Sequence, residues 1–516
     1  MMRTPRVVVV GAGIGGLVAA LLLATRGFEV TVIERAAKPG GKMRTVDAGA
    51  VKIDAGPTVF TMRWVFEEIL REAGAEWPQG LAAKPLQRLA RHAWSDGASL
   101  DLFADIERSA DAIAVFAGTA EAEGYRQFCA RAAAVYDTLK DTFIRASRPS
   151  PLTLAQRAGM RGLPGLLRIS PFTTLWDALG EYFRDARLRQ LFGRYATYCG
   201  SSPFAAPATL MLVAHVEREG VWTLDGGMSG LAEALAALAQ RRGATFVFAQ
   251  EADRIVVERG SVTSVETRGG ARFPAEAVVF NGDAAALAAG LLGPAAARAV
   301  GPTPQNARSL SALTWATPAT AAGFPLAHHN VFFSEDYRAE FDDIFARRRL
   351  PRAPTIYVCA QDRGEDDAPT RAPAQPERLF CLVNAPALEG AGGIDSAELR
   401  ACQETTFRRL ARCGLELTFD PANCVRTGPA EFARLFPATG GALYGQASHG
   451  WTASFTRPGS STNLPGLYLA GGSTHPGPGA PMAALSGRLA AHRLMADLAS
   501  TRPSFRGATL GGTSTH

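Results

Sequence analysis

The chain has 516 residues, of which 47% are hydrophobic and 20% charged, a composition that excludes disorder as a description of the whole. Its 54 Lys and Arg exceed its 48 Asp and Glu by a formal charge of only +6, and they are scattered, so no nucleic-acid partner is predicted. Attraction to an anionic membrane surface stays open. The seven cysteines form no C-x-x-C pair, which favours reduced thiols. His328 and His329 are expected in a loop and not in a metal site, since adjacent side chains point apart.

The first predicted elements form one mononucleotide-binding unit. A valine-rich strand, Arg6–Val10, precedes a predicted helix at 17–25, and a second strand, Glu29–Ile33, follows it. Residues 7–24 carry no charge and are as hydrophobic as a membrane span, but their glycines are poor helix formers. We therefore predict a strand, a turn and a helix there, and no transmembrane helix.

The glycines between the first strand and the helix have the spacing G-x-G-x-x-G. Gly11 permits the tight turn, Gly13 lets the backbone approach a pyrophosphate, and Gly16 allows the helix and strand to pack closely. The helix N-terminus, with Ile14 and Gly15, presents N–H groups to the phosphates.

Two further features indicate which dinucleotide cofactor the site binds. Glu34, which ends the second strand, is predicted to accept hydrogen bonds from the ribose hydroxyls and to repel the 2′-phosphate of NADP. A second glycine-rich segment follows it directly, where NAD-binding units usually continue into a crossover helix, and there is no second G-x-G-x-x-G. The pattern predicts FAD, bound also by residues of these segments: Arg35, Gly41, Lys42, Gly56, Pro57 and Thr58.

Three blocks spread over nearly the whole chain carry a family resemblance. The first joins the glycine loop to the strings G-G-K-M-R-T and D-A-G-P-T-V-F-T-x-R. The second is W-T-L-D-G-G-M-S-G-L at 222–231, and the third is G-L-Y-L-A-G-G-S-T-H-P-G-P-G-A-P-M at 466–482. The chain resembles the bacterial and fungal carotenoid desaturases related to phytoene desaturase, within the FAD-containing amine oxidase superfamily. It looks most similar to the 1-hydroxycarotenoid 3,4-desaturases, also called methoxyneurosporene dehydrogenases.

The resemblance implies an α/β fold in which a Rossmann-type FAD-binding domain carries an inserted α+β substrate domain. The FAD domain would comprise 1–75, 222–300 and 440–500, and the substrate domain 76–221 and 301–439. By the same resemblance, Ala252 would contact the adenine, and Gly471, Gly472 and Ser473 would lie beside the pyrophosphate and ribityl chain. The N–H near Met482 would face the isoalloxazine C2 carbonyl. Many related flavoproteins have an acid where Ser473 stands, which weakens one contact.

Other segments give local predictions. We expect one or two amphipathic helices at 110–146, a hairpin at 251–266 around Gly260, and strands at Ala277–Phe280 and 467–470. Residues 157–169, which interleave arginines with apolar residues, favour membrane contact over a helix hairpin with a solvated basic face. Residues 361–377 are expected to form an exposed loop and 501–516 a disordered tail.

The implied activity is the introduction of a C3–C4 double bond into an acyclic 1-hydroxycarotenoid, by hydride transfer from the allylic carbon to flavin N5. The remaining cation makes the neighbouring C–H acidic, so no strong base is required, and no catalytic residue is identified. The substrate is expected to enter through a hydrophobic tunnel. Polar contacts in this tunnel could come from His475, Tyr444, His449 or Trp451, each of which could equally be structural.

A lipid-soluble substrate, together with no predicted membrane span, predicts a peripheral protein on the cytoplasmic side of the cell membrane, with quinone or oxygen as the electron acceptor. The alternatives are phytoene desaturase, a flavin amine oxidase and a non-catalytic carotenoid carrier.

Overall fold

The computed structural model describes residues 4–157, 159, 170, 172–364, 375–388 and 393–500. The bounds of its α-helices, in chain order, are α1 (Ile14–Thr25), α2 (Arg63–Glu72), α3 (Ile106–Ala117), α4 (Thr119–Leu139), α5 (Leu175–Leu179), α6 (Ala186–Gly193), α7 (Leu212–Arg218), α8 (Gly227–Arg241), α9 (Ala284–Ala288), α10 (Pro294–Ala297), α11 (Tyr337–Phe341), α12 (Ser396–Arg412), α13 (Pro429–Leu435), α14 (Ala453–Thr456) and α15 (Ala480–Ser500). Residues 151–157 are also helical. No helix among the described residues has the length and apolar character needed to cross a bilayer.

A parallel sheet of five strands forms the centre of the nucleotide-binding half. Its strands are β1 (Arg6–Val10), β2 (Glu29–Ile33), β9 (Thr245–Val247), β13 (Ala277–Phe280) and β20 (Leu467–Leu469), in the order β20-β13-β1-β2-β9. The four valines of β1 and all of β13 are buried, as expected for a parallel sheet covered on both faces. Helix α1 is buried from Ile14 to Ala24 and packs against α8 and α15 on one face of the sheet.

Three smaller sheets surround this centre. The strands β10 (Ala252–Glu258), β11 (Ser261–Thr267) and β12 (Arg272–Pro274) form an antiparallel sheet, while β3 (Thr45–Ala48) pairs with β4 (Val51–Asp54) and β5 (Ala83–Pro85) with β8 (Trp222–Leu224). The β10–β11 turn contains Gly260 at φ +80°, so the predicted hairpin is confirmed.

A second large sheet lies in the other half of the molecule. Its strands are β6 (Arg88–Ala93), β7 (Ser99–Phe103), β14 (Ser311–Ala322), β15 (His329–Phe332), β16 (Ile356–Ala360), β17 (Glu377–Ala385), β18 (Glu416–Thr418) and β19 (Val425–Thr427). The order is β18-β14-β17-β16-β15-β6-β7, with β19 also paired to β14. Neighbouring strands are antiparallel except for the β6–β15 pair. His329 begins a strand here, so the loop predicted for it is wrong: its backbone pairs with Cys359 of β16.

The helices beside this sheet have a core of their own. Buried rings of α4, α6 and the segment between α5 and α6, such as Phe128, Phe183 and Phe192, pack within 4.7 to 5.6 Å between centroids. The predicted helical region at 110–146 contains the end of α3, all of α4 and a π-helical turn, Lys140–Ile144. Gly118, at φ +101°, separates the two helices, because an L-residue rarely adopts that conformation.

The other local predictions have mixed outcomes. The strands of the first βαβ unit and Ala277–Phe280 are confirmed with the same bounds, while the first helix begins three residues earlier than predicted, at Ile14. The segments 157–169 and 361–377 lie mostly outside the described residues, and 501–516 lies wholly outside them. The division into an FAD domain and a substrate domain stays a prediction. Strands β3 and β4, which lie in the first segment of the predicted FAD domain, contact β14 of the second large sheet, so the two predicted domains share an interface.

The contact between α15 and α1 leaves no space for an added methyl group at Gly487. A Cβ built there lies 2.0 Å from the carbonyl oxygen of Gly15, which belongs to rigid backbone. We expect Gly487→Ala to lower the free energy of unfolding by about 1–3 kcal/mol or more, because the helices must separate. Urea denaturation followed by circular dichroism measures this.

Gly230→Ala in α8 is the matched control. The nearest atom to its added Cβ, Leu81 Cδ1, is 3.4 Å away, an ordinary contact, so this variant should be as stable as the parent protein or slightly more stable. Equal stability of the two variants would contradict the close packing of α1 on α15.

Candidate active site

Four parallel strands end side by side at one edge of the five-stranded sheet. Gly11 follows β1, Glu34 follows β2, Asn281 follows β13, and Gly471 lies two residues after β20. The carboxyl ends of parallel strands share an edge, and the crevice outside that edge is where open α/β sheets bind ligands. The topology therefore brings together segments that are more than 400 residues apart in the sequence.

The first glycine loop is too tightly packed to hold side chains. Gly11 has a φ of +99° and donates its N–H to the Ile33 carbonyl at 2.8 Å. A Cβ on Gly16 would lie 2.2 Å from the Gly11 carbonyl oxygen, and one on Gly15 would lie 2.8 Å from the Gly471 nitrogen. Backbone therefore lines the crevice, as a large ligand held by N–H groups requires.

The N-terminus of α1 faces this crevice without a side-chain cap. Gly13 occupies the cap position, and the first turn, which begins at Ile14, has no acidic residue, so its N–H groups stay available to an anion. The Asn281 side chain donates from Nδ2 to the Gly11 carbonyl at 3.2 Å. The sequence prediction missed Asn281 as a site residue, although it directly follows a predicted strand.

Glu34 is buried at the far end of the crevice. Its carboxylate accepts the N–H of Ala12 at 2.7 Å and that of Ala36 at 2.8 Å. The Gln250 N–H donates to the Glu34 carbonyl at 3.0 Å, which brings the start of β10, with Ala252, to the same end.

The second glycine-rich segment packs directly on the first. Gly40 donates its N–H to the Ala12 carbonyl at 2.8 Å, and Gly41, at φ +58°, leaves only 3.2 Å between a built Cβ and the Cα of Gly13. A Cβ on Gly56 would lie 1.9 Å from the Lys42 carbonyl oxygen. The two segments thus form one continuous wall, as expected if both contact the same molecule.

The two basic residues predicted to bind the cofactor already have backbone partners. Arg35 donates from Nη2 to the Arg434 carbonyl at 3.1 Å and to that of Leu435, at the end of α13. Lys42 is half-buried and donates from Nζ to the Leu443 carbonyl. Burial lowers the pKa of Lys42, an effect that Asp283 opposes and Arg457 reinforces.

The last glycine segment joins the crevice to a helix start. The N–H of Gly471 donates to Ser486 Oγ at 2.7 Å, and Ser473 Oγ accepts the Ala284 N–H at 3.3 Å. The Gly472 carbonyl accepts a long hydrogen bond, 3.5 Å, from Arg457 Nη1. Met482 lies in the first turn of α15.

A cavity of about 370 Å³ opens from this point towards the second sheet. One wall consists of residues 56–58 and another of residues 476–482. Most of the remaining lining is apolar and includes Met62, Leu139, Phe143, Ile144, Leu154, Leu210, Val213, Val216, Val331, Phe380, Leu382, Trp451 and Phe455. Such a space suits a hydrocarbon substrate.

Comparison with known proteins identifies the family. Residues 14–495 match the family of flavin containing amine oxidoreductases. Over 515 residues the chain is 53% identical to a hydroxyneurosporene desaturase of Rubrivivax gelatinosus, covering 100% of this chain and 98% of that protein. The chain belongs to the carotenoid desaturases. A hydroxyneurosporene desaturase of Cereibacter sphaeroides is 46% identical (96% of this chain, 98% of that protein). A 1-hydroxycarotenoid 3,4-desaturase of Flavobacterium sp. (strain P99-3) is 29% identical (94% and 98%).

Solved structures show the same fold. An oxidoreductase from Methanosarcina mazei has a TM-score of 0.57 at 15% identity, covering 95% of this chain and 100% of that one. Cyclohexylamine oxidase from Brevibacterium oxydans IH-35A has a TM-score of 0.54 at 14% identity (96% and 100%). The predicted family and fold class of this carotenoid desaturase are confirmed.

This desaturase is an FAD-dependent oxidoreductase, and the crevice fits that cofactor. The uncapped α1 N-terminus and the bare glycine backbone suit a pyrophosphate, while the buried carboxylate of Glu34 suits ribose hydroxyls. Met482 and the start of α15, which border both the crevice and the cavity, would face the ring system. The individual contacts predicted from the sequence stay predictions.

The four polar residues proposed for the tunnel divide into two kinds. His475 Nε2 lies 3.0 and 2.9 Å from the carbonyls of Phe143 and Ala146, and burial lowers the pKa of His475 to about 4, so a neutral ring donates to backbone. His449 Nε2 accepts the Ser202 N–H at 3.0 Å, and burial lowers its pKa to about 4. Both histidines support the fold, whereas Tyr444 and Trp451 line the cavity.

A hydrogen-bonded chain that the sequence did not predict runs from the cavity wall into the second sheet. The hydroxyl of Tyr357 lies 2.7 Å from Thr58 Oγ1 and 2.7 Å from His329 Nδ1. His328, His329 and Cys359 each bring one possible ligand atom within 4.8 Å of the others. The expectation that the two adjacent histidines point apart is therefore wrong, because their rings lie 4.6 Å apart, edge to face.

The carboxylate of Glu34 gives a prediction on cofactor affinity. We expect Glu34→Gln to weaken FAD binding by about ten- to a hundredfold. One of the two oxygens that accept a backbone N–H becomes an NH2 group, which cannot accept, and the negative charge offered to the ribose hydroxyls is lost. Quenching of flavin fluorescence on titration of the apoprotein measures the affinity.

Glu29→Gln, at an exposed position of β2, the strand that Glu34 follows, is the matched control and should bind FAD as the parent protein does. If Glu34→Gln and Glu29→Gln bind FAD equally well, Glu34 does not hold the ribose.

Proposed function

We propose that this desaturase introduces a C3–C4 double bond into an acyclic 1-hydroxycarotenoid of the hydroxyneurosporene type. The observation that carries the proposal is the identity of 53% and 46%, over nearly the full length, with two hydroxyneurosporene desaturases. The long apolar cavity beside the FAD crevice supports a polyene as substrate.

FAD, when bound, supplies the acceptor for the hydride that leaves the allylic carbon. The protein's own part is to orient the hydrocarbon and to exclude water, which the apolar cavity lining favours. Among the described residues that line the cavity there is no carboxylate and no imidazole. A weak base suffices for a C–H next to a polyene cation, and the Thr58–Tyr357–His329 chain offers a hydroxyl oxygen at the wall for that proton.

We further propose that the protein is peripheral at the cytoplasmic side of the cell membrane. Two aromatic side chains are exposed where Trp451 lines the cavity: Phe172 is 78% exposed and Trp451 41%. Leu152, two residues before the cavity-lining Leu154, is 68% exposed. The rings of Phe172 and Trp451 are 5.4 Å apart, and Phe455 continues the row from Trp451 at 6.3 Å and reaches Phe143 at 6.0 Å. This aromatic row, from Phe172 to Phe143, supports entry of a lipid-soluble substrate from the bilayer. The two electrons removed would leave to a membrane quinone or to oxygen.

The reaction is tested with the FAD-loaded protein in liposomes that contain hydroxyneurosporene or, as the comparison, phytoene. We expect hydroxyneurosporene alone to lose two hydrogens, with a red shift of its absorption because one double bond joins the conjugated system. Mass spectrometry and absorption spectra of the extracted pigment measure the product.

Two results would contradict the proposal. Desaturation of phytoene but not of hydroxyneurosporene would make the protein a phytoene desaturase. Binding of hydroxyneurosporene under anaerobic conditions without bleaching of the flavin would favour a carrier.

Membrane contact is tested with the double variant Phe172→Ser/Trp451→Ser. We expect its co-sedimentation with anionic phospholipid vesicles to weaken by about tenfold or more, because two aromatic side chains no longer enter the headgroup layer. Val115→Ser is the control, since Val115 is 91% exposed but does not line the cavity. Equal loss of binding in the double variant and the control, or no loss in either, would contradict this membrane-facing surface.

A further inference from the structure

One charged residue on the cavity wall is not explained by the chemistry above. Arg194 lines the cavity, yet its side chain is only 9% exposed, and neither its Nε nor its Nη2 has a hydrogen-bond partner among the described residues. The other charged residue of the lining, Arg457, donates to the carbonyls of Tyr444, Gly472 and Gln446. An unpaired buried donor is costly, so the Nε and Nη2 groups of Arg194 require an explanation.

The neighbours of Arg194 fix its position. Its Nη1 donates to the Tyr198 hydroxyl at 3.0 Å, and that hydroxyl donates to Glu217 Oε1 at 2.8 Å. Tyr195 donates to the other carboxylate oxygen, Oε2. The guanidinium Nη2 lies 3.8 Å from Oε1 of the buried Glu217, which balances the charge without using the Nη2 donors in a hydrogen bond.

These groups offer the two kinds of contact that an alcohol needs. The unpaired N–H groups of Arg194 Nη2 can donate a hydrogen bond to the oxygen of an alcohol. The Tyr198 hydroxyl donates its own proton to Glu217 and keeps a lone pair that can accept the O–H of the alcohol. A carboxylate ligand would match the positive charge of Arg194, but Glu217 already neutralises that charge. The balance of charge therefore favours a neutral hydroxyl over an anion.

The location agrees with the bond that reacts. In a 1-hydroxycarotenoid the hydroxyl-bearing carbon is separated from C3 by a single carbon, so the group that binds the hydroxyl must lie close to the reacting end of the cavity. Thr58, in the wall next to the FAD crevice, is hydrogen-bonded to Tyr357. Arg194 and Tyr198 line the same cavity as Thr58 and Tyr357.

We propose that Arg194 and Tyr198, held by Glu217, bind the tertiary hydroxyl of the substrate and so select 1-hydroxycarotenoids over carotenoids without that group. This inference rests on the proposed function and names the side chains that determine its substrate. An unhydroxylated chain end would leave the N–H groups of Arg194 Nη2 and the free lone pair of Tyr198 without a hydrogen-bond partner. A site built to hydrogen-bond a hydroxyl discriminates strongly against an analogue that lacks it.

The test uses two non-reacting probes, the 3,4-desaturated 1-hydroxycarotenoid and the same polyene without the hydroxyl. Their dissociation constants for the FAD-loaded protein are measured from the shift of polyene absorption on binding. We expect the hydroxylated probe to bind about a hundredfold more tightly to the parent protein. A parent protein that binds both probes equally would overturn the proposal.

Two tyrosine variants separate recognition from support. Tyr198→Phe and Tyr195→Phe each remove one hydrogen bond to Glu217, but only Tyr198 lines the cavity. We expect Tyr198→Phe to reduce the preference for the hydroxylated probe by about tenfold or more, and Tyr195→Phe to keep it. An unchanged preference in Tyr198→Phe, or an equal fall in both variants, would overturn the proposal.

The double variant Arg194→Gln/Glu217→Gln removes both charges together, so that neither is left buried alone. We expect its preference for the hydroxylated probe to disappear while binding of the unhydroxylated probe stays or tightens. A retained preference would overturn the proposal. Failure of the proposed function is recognised separately: the parent protein would then prefer the hydroxylated probe but form no double bond in hydroxyneurosporene.

Discussion

Backbone-to-backbone contact at glycine is the constraint on which the structure depends. Gly15 lies against the nitrogen of Gly471 and the carbonyl of Ala483, and Gly487 lies against Gly15, so that the first and last parts of the chain touch without side chains between them. Because no side chains intervene, backbone N–H groups are available to a ligand. Helix α15 packs closely on α1, and the first residues of α15 line the cavity. The position of the substrate relative to the cofactor thus follows from how closely these helices approach.

Much of the FAD crevice could be predicted because its signals are local in the sequence. The valine run of β1, the glycine spacing and the acid after β2 each reflect one element and its immediate end. Asn281 was missed, since its role depends on β13 pairing beside β1, which the sequence does not state. Arg35 stays a predicted cofactor residue, but the sequence does not show that it also donates to backbone carbonyls at the end of a helix about 400 residues later.

The cavity could not be predicted in the same way. Its polar residues include Arg194 and Tyr198 from a 3-10 turn after α6 and Tyr357 and Asn384 from two strands of the second sheet, and these segments are far apart in the sequence. Arg194 and Glu217 resemble ordinary surface charges until burial brings them together. His328 and His329 were judged by the divergence of adjacent side chains, a rule that the bend before β15 breaks.

The pleat of the second sheet has an evolutionary consequence. Tyr357 on β16 and Phe380, Leu382 and Asn384 on β17 face the cavity, whereas the residues between them, such as Val358 and Cys381, pack into the opposite core. Exchanging every second residue of two neighbouring strands would therefore reshape the pocket and the small core around Phe380, and would leave the core on the opposite face of the sheet unchanged. Because cavity-facing and core-facing residues alternate along these two strands, a few independent mutations can adapt the same fold to polyenes of different length and polarity.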